Sequence, residues 1–327
     1  CIPTFNRLHC LESCLESILI SKKNYNINFE VCISDNNPQG NARLLVDKYN
    51  QDFIINYQCN NSNIGLGKNI VESVSMATGE FVWILGNDDM LLPHTFKELD
   101  SLLNKPQIDY FYINSINLKS NLVNLESGPV DTTQLPKGLE NFSKSKNSFQ
   151  GDFFELVNPN ISFDFMLGMF LSIFKREKWV DSKHVLNDKN LSDIKLYSSL
   201  DNTCPHVMIF AKAFHNSQVW FQSEPLSINM IGEREWDDLY PFVDAVRIPE
   251  VLDEYYKYGL PMKQYLKCKN FALKRFLPNL LLMIFSKKYS GLEYISFKKN
   301  IIFSMFFPNV YIYPFYYLLK KIKSRHS

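Results

Sequence analysis

The sequence predicts an α/β protein: a mostly parallel sheet flanked by helices, followed by a helical, basic C-terminal extension. Three observations carry this expectation. Over the first hundred or so residues, short apolar runs alternate with segments of helical spacing, the β-α-β-α order that builds parallel sheets covered on both faces. The run Phe81-Val82-Trp83-Ile84-Leu85 is apolar throughout, as in a strand buried on both sides, and Asp88 and Asp89 follow it directly. From Lys263 onward, 13 Lys and Arg face a single acid, Glu293, whereas residues 1–262 carry 22 bases and 33 acids. Such a split points to a basic segment with a partner of its own.

In chain order, apolar spacing places helices over 8–20, 41–49 and 67–77, with strands at 29–34, 53–58 and 81–85 between them. Pro93 suits a helix start and 95–103 is that helix. A strand follows at 109–117. The stretch 124–148 is rich in Ser, Asn, Gly and Pro and reads as a loop or lid. Beyond it come an apolar segment at 166–175, a helix over 205–214 opening at Pro205, and a strand pair at 219–222 and 226–230. Helical patterns close the chain at 240–258, 262–285 with Pro278 as a kink or break, and 292–306.

With 46% hydrophobic residues in 327, the chain can build a substantial core. Its seven cysteines are odd in number, scattered and without C-x-x-C spacing, which argues against a disulfide framework or a zinc knuckle and for reduced thiols. The first residues, Cys1-Ile2-Pro3-Thr4, enter the end of a strand without its beginning and read as a partial sequence, with no signal-peptide pattern. From Ile301 to Leu319 there is no charge over 19 residues, and Lys298-Lys299 and Lys320-Lys321-Ile322-Lys323 flank the run. Pro308, Asn309, Pro314 and four tyrosines interrupt it, so an interfacial anchor on an anionic membrane surface fits better than a span, with a buried core or oligomer helix as the other alternative. The same apolar content is too high for a phosphate-tracking surface, and nucleic acid is not an expected partner.

Chemistry concentrates at few positions. Adjacent carboxylates such as Asp88 and Asp89, at the end of a buried strand, repel unless a cation relieves them, which suggests Mg²⁺ or Mn²⁺ bridging protein and diphosphate; a helix-capping turn is the plainer alternative for one of them. Asp35 ends the strand Glu30-Val31-Cys32-Ile33-Ser34, where open sheets bind ligands, although an Asx turn shaping the Asn36-Asn37-Pro38 exit would use the same residue. Pro3-Thr4-Phe5-Asn6-Arg7 lies at a helix N-terminus, which favours anions and nucleotide edges.

Together, Pro3-Thr4-Phe5-Asn6-Arg7, Ile33-Ser34-Asp35-Asn36, Asn63-Ile64-Gly65 with Asn69, and Ala77-x-Gly79-Glu80 leading to Gly86-Asn87-Asp88-Asp89 resemble the family 2 glycosyltransferases of GT-A fold in both identity and spacing. Pro205-His206-Val207 and Ser223-Glu224-Pro225-Leu226 look like the O-antigen branch that contains abequosyltransferases. The resemblance implies a Rossmann-like GT-A domain over 1–235, with a nucleotide-binding half at 1–105 and an acceptor half at 106–235. Residues 236–327 would then be the membrane-associating region. It implies transfer of a sugar from a nucleotide-diphosphate sugar to a glycan acceptor, lipid-linked, on the cytoplasmic face of a bacterial membrane.

By the same resemblance, Asp35 contacts the nucleobase, and Pro3, Thr4, Asn6, Arg7, Asn36, Asn63, Gly65, Asn69 and Asn87 belong to the nucleotide pocket. Asp88 is the metal-binding acid, with Asp89 in support, because Gly86 stands where the D-x-D motif has its first Asp. The helix at Cys204-Pro205-His206 carries an acidic pair in many inverting relatives. His206 takes that place here, and an imidazole titrating near neutrality suits a general base. Asp201 is the competing base. A nucleotidyltransferase, or a catalytically degenerate sugar-nucleotide-binding protein, is the alternative, although Pro3–Arg7 is not a glycine- and lysine-rich phosphate loop.

Overall fold

The computed structural model describes residues 1–232, 237–286 and 288–323. Strands β1 (Ile2–Thr4), β2 (Val31–Asp35) and β3 (Ile55–Cys59) form a three-stranded parallel sheet in which Thr4 pairs with Asp35 and Asp35 with Cys59. Helix α1 (Leu8–Asn24) joins the first two strands and α2 (Arg43–Tyr49) the next two. Burial of Cys10, Leu11, Cys14, Leu15 and Ile18 along one face explains why the helical period of that segment was legible. Helix α3 (Leu66–Ser75) follows β3 and turns Ile70 and Val74 into the same core.

The second sheet is mixed and seven-stranded. It contains β4 (Phe81–Trp83), β5 (Asp89–Leu91), β6 (Tyr110–Lys119), β7 (Glu140–Asn141), β8 (Phe149–Asp152), β9 (Ser172–Lys175) and β10 (Gln218–Ile231). The order is β4-β9-β6-β10-β5, with β7 added to β6 and β8 to β10. Here only β6 and β10 run parallel. A parallel pair needs a long crossover, and the chain between those strands supplies one. The α/β architecture stands, but its parallel pairing is confined to β1–β3 and to β6 with β10.

Strands β5, β7 and β8 have no counterpart in the sequence reading, and two further strands differ from it. The expected pair at 219–222 and 226–230 is one continuous strand, β10, whose register against β6 shifts between Gln222, Pro225 and Ser227. Pro225 donates no ladder hydrogen bond, and the irregularity accommodates it without ending the strand. Strand β4 lies between β9 and Cys1, whose N-terminal amine donates to the Trp83 carbonyl at 2.8 Å, and it is only partly covered: Val82 is buried, Phe81 and Trp83 half.

Helix α4 (Thr95–Leu103) buries Phe96, Leu99 and Leu102. The short helices α5 (Arg176–Ser182), α6 (Asp188–Leu191) and α7 (Leu200–Thr203), unforeseen from sequence, lead into α8 (Pro205–Phe214). Phe210 and Phe214 of α8 pack edge-on or tilted against Tyr110, with ring centroids at 5.1 Å. In the C-terminal extension, α9 (Tyr240–Phe242), a π turn (Val243–Arg247) and α10 (Ile248–Lys257) run on continuously. The break between α11 (Met262–Ala272) and α12 (Phe276–Phe285) falls at Leu273–Arg275 and not at Pro278. Pro278 sits in the first turn of α12, where its missing N–H leaves no bond unmade. The 292–306 stretch is a series of 3₁₀ and π turns before α13 (Asn309–Lys323).

One core cluster runs from Ile2 to Val310, so the extension shares the interior of the sheets. Among the described residues no helix is long and apolar enough to cross a membrane. The expected boundary at 235–236 lies outside the described residues. All seven cysteines are free thiols.

Candidate active site

A cavity of about 720 Å³ opens where the ends of β1 and β2 meet the turn between β4 and β5. Its polar end is built around Arg7. Asn6 (φ 56°) and Arg7 (φ 49°) both occupy the left-handed region, which costs about 1–2 kcal/mol per non-glycine residue. That geometry aims the guanidinium at the 86–89 turn. Nη1 donates to Asp88 Oδ2 at 3.0 Å and Nη2 to Asn87 Oδ1 at 2.7 Å. Asn87 Nδ2 in turn donates to Thr4 Oγ1 at 2.9 Å, which ties the turn to β1.

Gly86 shows why an acid is missing from that position. A Cβ there would stand 2.7 Å from both Asp88 Oδ1 and Asp89 Oδ2, so the two carboxylates converge on the space a side chain would need. Asp89 Oδ2 also accepts the Gly86 N–H at 2.8 Å and is buried, which makes Asp88 the more available oxygen donor. Among the described residues no group of three or more His, Cys, Asp or Glu could hold a metal. The donor set fits a hard cation that takes one or two carboxylates and completes its shell with substrate phosphates, the usual arrangement for Mg²⁺.

The asparagines form a scaffold beside it. Asn36 Nδ2 donates to Asn63 Oδ1 and to the Gly65 carbonyl, each at 3.1 Å, and Asn69 Nδ2 donates to the Thr4 carbonyl at 3.1 Å. Asn60, which the sequence reading passed over, joins Asn36 at 3.0 Å to Asn69 at 3.2 Å. Gly65 has φ 88° at the start of α3. Gly67 lets α3 approach α7, since a Cβ there would meet Asn202 Cα at 2.7 Å.

The structure brings Pro3, Thr4, Arg7, Asn36, Asn63, Gly65, Asn69, Asn87, Asp88, Asp89 and His206 to the cavity wall. Asn6, Asp35 and Asp201 are not part of that wall. Asn6 Oδ1 accepts from Asn37 Nδ2 at 2.9 Å. Asp35 accepts the Asn37 N–H and the Tyr57 hydroxyl, each at 2.9 Å, the first an Asx turn. Asp201 accepts the Asn187 N–H at 2.7 Å and Asn190 Nδ2 at 3.1 Å, holding the start of α6.

His206 lines the cavity, but not as an imidazole poised near neutrality. Burial lowers its pKa to about 4, and Nε2 lies 2.9 Å from the Leu167 carbonyl. A carbonyl only accepts, so Nε2 carries the proton and Nδ1 keeps a lone pair, buried and without a partner.

Several lining residues had no signal in the sequence. Phe142, Phe163, Phe170, Ile194 and Leu196 make part of the wall apolar, and most of them come from irregular segments without periodicity. Asn117 and Asn229 face each other on β6 and β10 with an Nδ2–Oδ1 bond of 2.9 Å. Asp164 is a buried carboxylate in the loop before β9.

The cavity thus sets paired carboxylates and a cationic side chain at the strand ends of an α/β fold. Residues 1–167 match the model of glycosyl transferase family 2, and the chain belongs to that family: it is a glycosyltransferase of GT-A fold. It is 27% identical over 291 residues to the abequosyltransferase RfbV of Salmonella typhimurium, covering 86% of this chain and 79% of the relative. It is 30% identical over 168 residues to the GalNAc(5)-diNAcBac-PP-undecaprenol beta-1,3-glucosyltransferase of Campylobacter jejuni, covering 49% of this chain and 51% of the relative. Among solved structures, S. aureus TarS 1–349 in complex with UDP superposes with TM-score 0.58 at 15% identity, over 88% of this chain and 74% of that one. The mannosyltransferase PcManGT from Pyrobaculum calidifontis, in complex with GDP-Man and Mn²⁺, gives 0.50 at 11% identity, over 86% and 72%.

Proposed function

We propose that the protein transfers a sugar from a nucleotide-diphosphate sugar to a lipid-linked glycan in bacterial surface polysaccharide synthesis, with help from a divalent cation. The observation that carries this reading is the convergence of Arg7, Asp88 and Asp89 on one cavity whose lining also includes the apolar Phe142, Phe163, Phe170, Ile194 and Leu196. Pro3, Thr4, Asn36, Asn63, Asn69 and Asn87 shape the nucleotide end. Asp88, supported by Asp89, would hold Mg²⁺ or Mn²⁺, which neutralises charge on the departing diphosphate when bound. The names of the relatives and the Mn²⁺ in one neighbour support this reading.

Residues 1–235 would be the transferase unit, and the extension would seat it on the inner face of the cell membrane. Leu282, Phe285, Phe303, Phe306, Ile312 and Phe315 are all more than half exposed in that extension, amid its lysines. A basic, aromatic surface of that kind suits an anionic bilayer. Release of nucleoside diphosphate from a panel of nucleotide sugars, with and without EDTA and with Asp88→Ala, tests the reading. Full activity in the variant or in EDTA removes the cation from it.

A further inference from the structure

Among the described residues three carboxylates line the cavity, and Asp88 and Asp89 belong to its diphosphate end. The third, Asp164, sits in the 162–168 loop. Phe165 (φ 55°) and Met166 (φ 69°) are consecutive left-handed residues with fully buried side chains. Such strain costs about 1–3 kcal/mol per residue and persists only where the surroundings over-determine it. Here they do. Asp164 Oδ2 accepts the Gly168 N–H at 3.0 Å and Oδ1 the Ser162 hydroxyl at 2.6 Å. Ser162 Oγ accepts the Met166 N–H at 2.8 Å, and the Tyr255 hydroxyl donates to the Phe165 carbonyl at 3.0 Å. His206 completes the set through the Leu167 carbonyl.

The sheet brings this loop to the reacting end. Strand β9 pairs antiparallel with β4, Trp83 opposite Ile173, and Trp83 Nε1 donates to the Phe170 carbonyl at 2.7 Å. The chain entering β9 therefore runs beside the turn that leaves β4 and carries Asp88. Burial moves the two candidate bases in opposite senses. It makes the His206 imidazole a weak base, and it raises the Asp164 carboxyl toward the working pH, where proton acceptors are most effective. The titratable groups that sense Asp164, namely Tyr110, Tyr112, Tyr255 and Cys204, are held neutral by burial.

We propose that Asp164 accepts the proton of the acceptor hydroxyl, and that His206 is a positioning residue that holds the 162–168 loop through the Leu167 carbonyl. The acceptor O–H bond breaks and its proton passes to an Asp164 oxygen. The electron pair left on the acceptor oxygen forms the bond to the anomeric carbon, and the bond from that carbon to the diphosphate breaks with its pair on the leaving nucleoside diphosphate. The assignment rests on the glycosyl transfer proposed above.

The test uses the full chain with UDP-, GDP-, CDP- and dTDP-sugars and Mn²⁺. Calorimetry measures donor binding, and nucleoside diphosphate release measures turnover, with water or extracted lipid-linked glycan as acceptor. Asp164→Asn is expected to bind donor within about threefold of wild type, yet turn over about 10²–10⁴-fold more slowly and lose the acid limb of kcat/KM. His206→Gln keeps an N–H for the Leu167 carbonyl. It is expected to lose no more than about tenfold in rate and to retain the acid limb. Wild-type turnover in Asp164→Asn, loss of the acid limb in His206→Gln, or a joint loss of donor binding and melting temperature in Asp164→Asn overturns the assignment. A wild-type chain that binds no nucleotide sugar brings down the transferase reading itself, and the binding arm shows that separately.

Discussion

Arg7 and Asp88, 81 residues apart in sequence, form an ion pair of 3.0 Å at the polar end of the cavity. The same guanidinium also holds Asn87, so one side chain fixes the whole turn that carries the carboxylates. Arg7→Lys keeps the charge but loses this forked geometry. A hydrogen bond to a charged group contributes about 1.5–3 kcal/mol, so the variant is expected to bind donor about 10- to 100-fold more weakly. Calorimetry with the donor and Mn²⁺ checks this, and unchanged affinity contradicts it.

Gly86 offers a sharper contrast between pattern and structure. The family motif suggests that Gly86→Asp would restore a lost ligand. The packing says otherwise, because the first added carbon would press on oxygens of Asp88 and Asp89 at 2.7 Å. Overpacking of this kind costs about 1–3 kcal/mol. Gly86→Asp is expected to lower the melting temperature and reduce turnover at least about tenfold, and increased turnover would refute this.

Stability should respond to acid through His206. Its folded pKa, about 4, lies below the ordinary imidazole value of 6.5, so the unfolded chain binds more protons between those values. Stability is therefore complete above pH 6.5 and falls as pH drops toward 4, by about 3 kcal/mol at the lower end. Urea unfolding at pH 7 and near pH 4.5 measures this. His206→Gln should flatten the slope, and an identical slope in the variant rules out His206 as its source.

The extension should bind vesicles containing an anionic lipid and release them in high salt. Phe285 and Phe306 are 79% and 77% exposed, and burial of each in a bilayer would contribute about 1.5–3 kcal/mol. Phe285→Asp with Phe306→Asp is expected to cut vesicle flotation at least about tenfold while leaving the melting temperature near wild type. Equal flotation would move the membrane contact elsewhere.

The N-terminal α/β part was legible because its helices each bury one face, as the Cys10, Cys14 and Ile18 face of α1 shows. Strand β8 was missed because Phe149-Gln150-Gly151-Asp152 lacks apolar alternation, and β10 was split because polar residues and Pro225 mark a bulge as readily as a turn. At the site, position at the end of an element put Asp88 on the cavity wall, whereas Asp35 and Asp201 lie off it. A carboxylate that accepts its neighbours' N–H groups and one that faces a ligand occupy the same places in sequence. Asp164 was invisible because its loop is defined by φ angles and long-range hydrogen bonds with no period to read.

The account stands most directly on one assay: release of nucleoside diphosphate from a nucleotide-sugar panel, followed by mass spectrometry, with Mn²⁺ and with EDTA. At least one nucleotide sugar should be turned over with Mn²⁺, with the rate falling at least about 10²-fold in EDTA and in Asp88→Ala. Turnover of none, or equal rates in all three conditions, would contradict it.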